Sequence, residues 1–161
     1  MTVAHAYLMP AFAIGLWLAF GWTSSSVRAA ASQDTRVAAG AERSVWDGVY
    51  SEAQSGRGEK IYADSCSMCH TADLTGSQVV PPLVGDDFLM KWNGAMVGEL
   101  FEQIRQTMPQ DSPGSLTSAQ YADVLAFILK KNKFPEGKTE LASEFDPLKS
   151  IRIDASKKPG R

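Results

Sequence analysis

The sequence predicts an all-α fold of three to five helices. Residues 97–107 and 121–129 place apolar side chains three and four positions apart, the spacing that lines one face of a helix. Signals typical of helix starts precede two segments, and no part of the chain alternates strands with helices as a parallel sheet requires. A length of 161 residues with a 44% apolar content suits one globular domain with tails.

The first predicted helix begins after Ser51. Serine is a preferred N-cap residue, and Ser51 occupies that position. Glu52 places an acid in the first turn, where the helix dipole favours one. We expect this helix to continue to about Asp64. Gly56 and Gly58 each cost about 1 kcal/mol relative to alanine inside a helix. A second helix crossing closely at a glycine is the usual reason for such a residue.

Residues 71–95 are predicted to be irregular. Pro81 and Pro82 interrupt any helix, and the Gly-Asp-Asp sequence at 85–87 and the Asn-Gly sequence at 93–94 are typical of turns. So long a stretch without regular structure is unusual in a small domain unless it wraps a bound group.

The next helix is expected over residues 97–107, and Pro109 follows its end. Met96 stands where a Ser, Thr or Asp cap is preferred, so we expect either a cap at Asn93 or a loose start.

The last predicted helix opens with Thr117 and Gln120, which have the spacing of a capping box. Lys130 and Lys131 lie near its end, where positive charge is favoured.

The chemistry of the chain is concentrated in a Cys-x-x-Cys-His motif at residues 66–70. Cys66 and Cys69 have the spacing at which two thiols add to the two vinyl groups of a c-type haem. His70 then lies where it can be the proximal iron ligand. A structural zinc site needs four nitrogen or sulfur ligands, whereas the motif supplies only three. A redox dithiol belongs in a βαβ unit, and the sequence has no such pattern of alternating strands and helices. A local disulfide between the two cysteines explains neither the presence of His70 nor the aromatic-rich loops that follow it. The motif therefore favours haem over all three alternatives.

The N-terminus is predicted to be a secretory signal peptide over residues 1–31. Residues 7–22 are an uncharged apolar run, and the small residues at 29–31 fit a cleavage site. Residues 32–43 are expected to form a flexible leader. An uncleaved anchor is the alternative, although the apolar run is short for a membrane span. Membrane contact is expected only in that case, and both alternatives place the domain outside the cytoplasm.

Met108 is the expected distal iron ligand. The chain has two histidines, and His5 falls within the predicted signal peptide, so a second histidine ligand is excluded. Met68 lies inside the attachment motif, and Met90 and Met96 are expected to fill apolar gaps or turns. Prolines at 109 and 113 stiffen the loop that carries Met108.

With these residues in place, the chain resembles class I cytochromes c, the mono-haem electron carriers of bacterial periplasms. The resemblance covers residues 44–132. Gly58 and Tyr62 lie where that family carries a glycine and an aromatic residue that meet the C-terminal helix, and Val124 and Phe127 match the contact positions on that helix. Residues 108–129 are most similar to the cytochromes associated with quinoprotein dehydrogenases.

The resemblance also implies two further haem-binding residues. The Pro-Pro-Leu-Val-Gly sequence at 81–85 is similar to the family's Pro-x-Leu-x-Gly, which implies that the Pro81 carbonyl accepts a hydrogen bond from His70 Nδ1–H. Trp92 has an indole N–H that needs a partner when buried, either as a core residue or as a donor to a haem propionate.

The function implied is one-electron transfer through a single covalently bound haem c, with no enzymatic activity. Expected partners are redox proteins: a dehydrogenase, a terminal oxidase or another cytochrome. A formal charge of −2 gives no indication of nucleic-acid binding. Two alternatives stay open, namely a subunit bound within a larger complex and an enzyme or gas sensor with a labile Met108.

Residues 133–161 form a C-terminal extension, in which apolar residues at 148, 151 and 153 are expected to dock on the domain.

Overall fold

Helices supply most of the regular structure in the computed structural model, which describes residues 42–157. In chain order the elements are β1 (Arg43–Ser44), a 3₁₀ helix (Val45–Asp47), α1 (Glu52–Ser65), α2 (Ser67–His70), α3 (Gly85–Trp92), α4 (Val97–Thr107), α5 (Ser118–Lys131), α6 (Phe145–Leu148) and β2 (Ile151–Arg152). A mainly helical fold is therefore confirmed for this part of the chain. The predicted number of three to five helices is wrong, since six α-helices are described and the four-residue helices α2 and α6 are too short to leave an apolar pattern. The predicted signal peptide (1–31) and nearly all of the predicted leader (32–43) lie outside the described residues.

The caps predicted for α1 and α5 are present. The Gln54 N–H donates to Ser51 Oγ at 3.1 Å at the start of α1. At the start of α5, the Gln120 N–H donates to Thr117 Oγ1 at 3.2 Å, and the Thr117 N–H donates to Gln120 Oε1 at 2.8 Å. These bonds satisfy helix-end donors that would otherwise have no partner, so both helices begin where the sequence places them.

Helices α1 and α5 cross at Gly58. A β-carbon built there would lie 1.9 Å from the Asp123 carbonyl oxygen, so only glycine fits. One turn further along α1, the Tyr62 and Phe127 rings pack with their centroids 5.3 Å apart. The crossing predicted for Gly58 is thus confirmed. For Gly56 it is wrong, since a β-carbon there has nothing within 4 Å, and nothing in the structure explains that glycine.

Helix α5 forms the centre of the core. Its residues 121–129 are all buried, and the apolar side chains of α1, α4 and the C-terminal segment (residues 133–157) surround them. Because α5 is buried on every face, it is held from all sides and cannot shift without disturbing the whole domain.

The prediction of an irregular stretch from 71 to 95 is wrong for residues 85–92, which form α3. Asp86 and Asp87, read from sequence as turn residues, lie in the first turn of α3, where the helix dipole stabilises them. Phe88 is buried and attaches this helix to the core.

Helix α4 begins at Val97 without a cap from Asn93. The Met96 N–H donates to Glu99 Oε2 at 2.9 Å, which satisfies one donor at the start of the helix. Asn93 Oδ1 instead accepts from the Ala155 N–H at 2.9 Å and so holds the C-terminal segment.

The C-terminal segment completes the core. Five of its side chains are nearly inaccessible to solvent: Phe134, Leu141, Leu148, Ile151 and Ile153. Strand β2 pairs in parallel with β1, with Arg43 opposite Ile151 and Ser44 opposite Arg152. The expected docking of residues 148, 151 and 153 is therefore confirmed. The all-α prediction missed this short sheet, because pairing over so long a sequence separation leaves no local pattern.

Trp46 and Tyr50 hold the N-terminal segment in place. Trp46 Nε1–H donates to the Asp154 carbonyl at 2.9 Å, and the Tyr50 hydroxyl donates to the Phe134 carbonyl at 2.6 Å. Both bonds link the start of the described chain to its C-terminal segment. No helix within residues 42–157 combines the length and the apolar character that crossing a membrane requires.

Candidate haem site

The two cysteines lie one helical turn apart at the junction of α1 and α2. The Cys66 N–H donates to the Tyr62 carbonyl at 2.9 Å, and the Cys66 carbonyl accepts from the N–H groups of Cys69 and His70 at 3.2 and 3.0 Å. Residues three apart on a helical turn are neighbours on its surface. Both thiols are free, with Cys69 exposed and Cys66 half-buried. Burial, helped by the neighbouring Cys69, raises the pKa of Cys66 to about 11.

His70 is buried and its ring is held by one hydrogen bond. Nδ1 lies 3.1 Å from the Pro81 carbonyl oxygen, the contact that the family resemblance implies. A carbonyl only accepts, so Nδ1 carries the proton and Nε2 keeps its lone pair. Burial lowers the pKa of His70 below its ordinary value, against the opposing effect of the Pro81 hydrogen bond. The ring is therefore neutral near pH 7, which is the form that binds metals.

The loop after His70 is fixed at several points. The Tyr62 hydroxyl donates to the Thr71 carbonyl at 2.7 Å, and the Leu83 N–H donates to the Leu74 carbonyl at 2.8 Å. Leu74 is fully buried although its φ is 65°, a value that a leucine rarely adopts. The irregular loop therefore contributes to the core and carries the Pro81 carbonyl to His70.

Met108 directly follows the last residue of α4 and is half-buried. Its N–H donates to the Ile104 carbonyl, and its own carbonyl accepts from the Tyr121 hydroxyl, at 2.8 and 2.7 Å. Met68 is 97% exposed and Met90 is 69% exposed, so the expectation that Met90 fills an apolar gap is wrong.

Trp92 ends α3 and packs, half-buried, against the core. Among residues 42–157 its indole N–H has no hydrogen-bond acceptor, whereas the indole of Trp46 bonds to the Asp154 carbonyl.

The donor set suits a covalently attached haem better than the alternatives raised by the motif. In the described part of the chain, no three His, Cys, Asp or Glu side chains come together as a metal site would require. Two free thiols on one turn, followed by a neutral imidazole with an available Nε2, meet the requirements of thioether attachment and axial ligation.

Two supporting residues were not identified from the sequence. Tyr121 donates to Met108, and Asn132 donates to the Leu83 carbonyl in the loop that carries Pro81. Both were assigned only to helix α5 or its end. A tyrosine and an asparagine that flank a run of mostly apolar residues are a usable signal, because their polar atoms must find partners when buried.

Comparison with known proteins points to the same chemistry. Residues 53–128 match a family described as "Cytochrome C oxidase, cbb3-type, subunit III". The thiosulfate dehydrogenase of Stutzerimonas stutzeri (strain A1501) is 33% identical over 79 residues, which cover 45% of this chain. The chain spans only 25% of that relative. No solved structure matches significantly. Together with the site geometry, these matches support the conclusion that the chain carries a c-type cytochrome domain, a kind of domain that implies covalently bound haem and electron transfer.

Proposed function

We propose that this chain is an exported one-electron carrier with a single haem c, held by thioether bonds to Cys66 and Cys69 and ligated by His70 and Met108. The observation that carries the proposal is the His70 Nδ1–H hydrogen bond to the Pro81 carbonyl, which leaves Nε2 available beside two free thiols. When bound, the haem iron supplies the change between ferrous and ferric states.

The residues of the chain have separate roles in this proposal. The thiols of Cys66 and Cys69 fix the porphyrin to one helical turn. The Pro81 carbonyl orients the His70 ring and makes it more basic, as a partner on the non-ligating nitrogen does in metal sites. The free indole N–H of Trp92 donates to a propionate.

The distal position is assigned to Met108, since Met68 and Met90 fit less well and Met96 is held at the start of α4 by its bond to Glu99. Met68 lies within the attachment turn and is 97% exposed, and Met90 is 69% exposed. Met108 is half-buried, and hydrogen bonds to α4 and to Tyr121 hold its backbone on both sides. A thioether is a weak ligand, so a well-held backbone favours a lasting bond. Histidine with methionine also raises the reduction potential relative to harder ligands.

With both axial positions filled, we propose that the protein is not an enzyme and exchanges electrons with redox proteins. The partners proposed are a dehydrogenase, a terminal oxidase or another cytochrome, contacted in a small transient interface. Domains of this kind are typically exported, which supports a periplasmic location.

A second candidate is a haem subunit held within a larger oxidoreductase. The matched family is described as a subunit of an oxidase, and the chain spans a quarter of the thiosulfate dehydrogenase it resembles. Residues 134–153 contribute five side chains to the core of the domain, so they are not free to act as a separate docking tail. Sedimentation of the protein from its native source separates the candidates: a carrier sediments as a monomer, and a subunit sediments with its complex.

The test of the proposal is a pair of visible spectra, oxidised and reduced, for exported wild-type protein and Met108→Ala. We expect a haem c spectrum in both proteins. The long-wavelength band of ferric methionine ligation should be present only in the wild type, and Met90→Ala is the matched control that should keep it. An unaltered spectrum in Met108→Ala would contradict the distal ligand, and a high-spin wild-type spectrum would favour the enzyme or sensor alternative.

A further inference from the structure

Helix α5 is hydrogen-bonded at one end to the loop that carries Met108 and at the other end to the loop whose Pro81 carbonyl contacts His70. Tyr121, in its first turn, holds the Met108 loop, and Asn132, at its C-terminal cap, holds the Pro81 loop. We infer that Tyr121 and Asn132 are positioning residues for the two axial ligands and act on the iron in opposite directions. This inference rests on the proposed function.

Tyr121 acts on the distal side. Its side chain is 1% exposed, and its hydroxyl donates to the Met108 carbonyl at 2.7 Å. That carbonyl belongs to the same residue as the thioether, so the bond restricts the backbone directly beneath the ligand. A typical hydrogen bond contributes about 0.5–1.5 kcal/mol net, which corresponds to about a 2- to 13-fold change in an equilibrium constant.

Asn132 acts on the proximal side through the loop at 81–85. Its Nδ2 donates to the Leu83 and Ile128 carbonyls, both at 2.9 Å, and its Oδ1 accepts from the Gly85 N–H at 3.2 Å. It is 8% exposed, so water replaces these bonds poorly. The amide therefore binds the loop two and four residues after Pro81, whose carbonyl must face His70.

The helix between the two residues is rigid. Residues 121–129 are buried throughout, and the crossing at Gly58 fixes α5 against α1. Tyr121 and Asn132 are separated by about 16 Å along the axis at 1.5 Å per residue. The spacing of the Met108 loop and the Pro81 loop is therefore set by one element of fixed length.

The two residues should shift the reduction potential in opposite directions. Without the Tyr121 hydroxyl, Met108 is held less firmly, thioether ligation weakens, and the potential falls. Without the Asn132 amide, the Pro81 carbonyl is held less firmly, His70 becomes a less basic ligand, and the potential rises. General loosening of the protein would not produce shifts of opposite sign.

The experiment compares holoprotein variants by redox titration and by imidazole binding to the ferric form. We expect Tyr121→Phe to lower the potential and to increase imidazole affinity about 2- to 13-fold. We expect Asn132→Ala to raise the potential, and Asn132→Ser, which is also uncharged and too short to keep both loop bonds, is the second variant if Asn132→Ala does not fold.

Two matched controls remove similar bonds elsewhere. Tyr50→Phe removes a buried hydroxyl that donates to the Phe134 carbonyl at 2.6 Å. Gln54→Ala removes a buried amide that bonds to the Leu141 backbone in both directions, at 2.9 and 2.6 Å. Both controls should keep the wild-type potential and imidazole affinity even where stability falls.

The inference would be overturned if Tyr121→Phe kept the wild-type reduction potential and imidazole affinity. It would also be overturned if the variants of Tyr121 and Asn132 shifted the reduction potential in the same direction. Failure of the proposed function has a different signature: Met108→Ala would then keep the wild-type spectrum, whatever the Tyr121 and Asn132 variants show.

Discussion

The backbone of Gly58 lies against the carbonyl oxygen of Asp123, so closely that a β-carbon at position 58 would be 1.9 Å from that oxygen. The contact joins α1, which leads into the turn of Cys66 and Cys69, to α5, which is bonded to the Met108 loop and to the Pro81 loop. The placement of the two thiols relative to Met108 and Pro81 therefore depends on two helices meeting without any side chain between them.

Replacing Gly58 tests this contact directly. Gly58→Ala should destabilise the protein by about 3 kcal/mol or more, because backbone atoms cannot give way as a flexible side chain does. The matched control is Gly56→Ala in the same helix, where the new methyl group meets nothing within 4 Å. That control should stabilise the protein by up to about 1 kcal/mol. Urea unfolding of the two variants measures both effects, and equal effects would contradict the crossing.

The C-terminal segment is expected to be essential for folding. Ile153 is fully buried at the end of this segment. Ile153→Ala should therefore cost about 2–5 kcal/mol, whereas the milder Ile153→Val should cost about 0.5–1.5 kcal/mol. A chain ending at residue 132 should not fold. Thermal unfolding measures the first two variants, and a cost below 0.5 kcal/mol for Ile153→Ala would show that the segment is dispensable.

Acid stability should depend on Arg57. Its Nη2 lies 2.9 Å from both Asp123 Oδ1 and Glu140 Oε2, and it lowers the pKa of Glu140 below the ordinary value of 4.5. A carboxyl with a lowered folded pKa adds stability above its unfolded pKa and loses it as the pH falls through the folded pKa. The urea midpoint of Arg57→Gln should therefore be below that of the wild type at pH 7. The difference between the two midpoints should become smaller below pH 4.5.

The control for this prediction is Glu140→Gln. It removes the titrating group while the bond between Arg57 and Asp123 remains. A gap between wild type and Arg57→Gln that stays constant into acid would contradict the linkage.

Trp92 should influence the reduction potential through its indole N–H. Trp92→Phe keeps an aromatic ring but removes the donor, so the negative charge of a propionate is less compensated and the potential should fall. Trp46→Phe is the matched control, since that indole already donates to the Asp154 carbonyl at 2.9 Å. Redox titration measures both variants. Equal potentials in wild type and Trp92→Phe would show that Trp92 is a core residue only.

Much of the helical frame could be predicted from the sequence, because its signals are local. The caps at Ser51 and Thr117 and the apolar spacing of α4 each lie within a few residues of the structure they specify. Helix α3 was missed because Asp86 and Asp87 are favourable both in a turn and in the first turn of a helix. Sequence alone does not separate these two uses.

The long-range contacts were harder to predict. The pairing of β1 with β2 and the bonds from Tyr121 and Asn132 join positions far apart in the chain, and no local pattern announces them. The contact between His70 and Pro81 was expected from the family resemblance and not from the chemistry of the residues alone. Buried leucine at a positive φ, as at Leu74, has no sequence signal.

The most direct test of the central claim is the intact mass of the exported protein under denaturing conditions. Covalent attachment predicts the mass of the processed polypeptide plus that of one haem, and the double variant Cys66→Ser, Cys69→Ser should lack the added mass. A wild-type protein with the mass of its amino acids alone, after expression in a host that attaches haem c, would contradict the account.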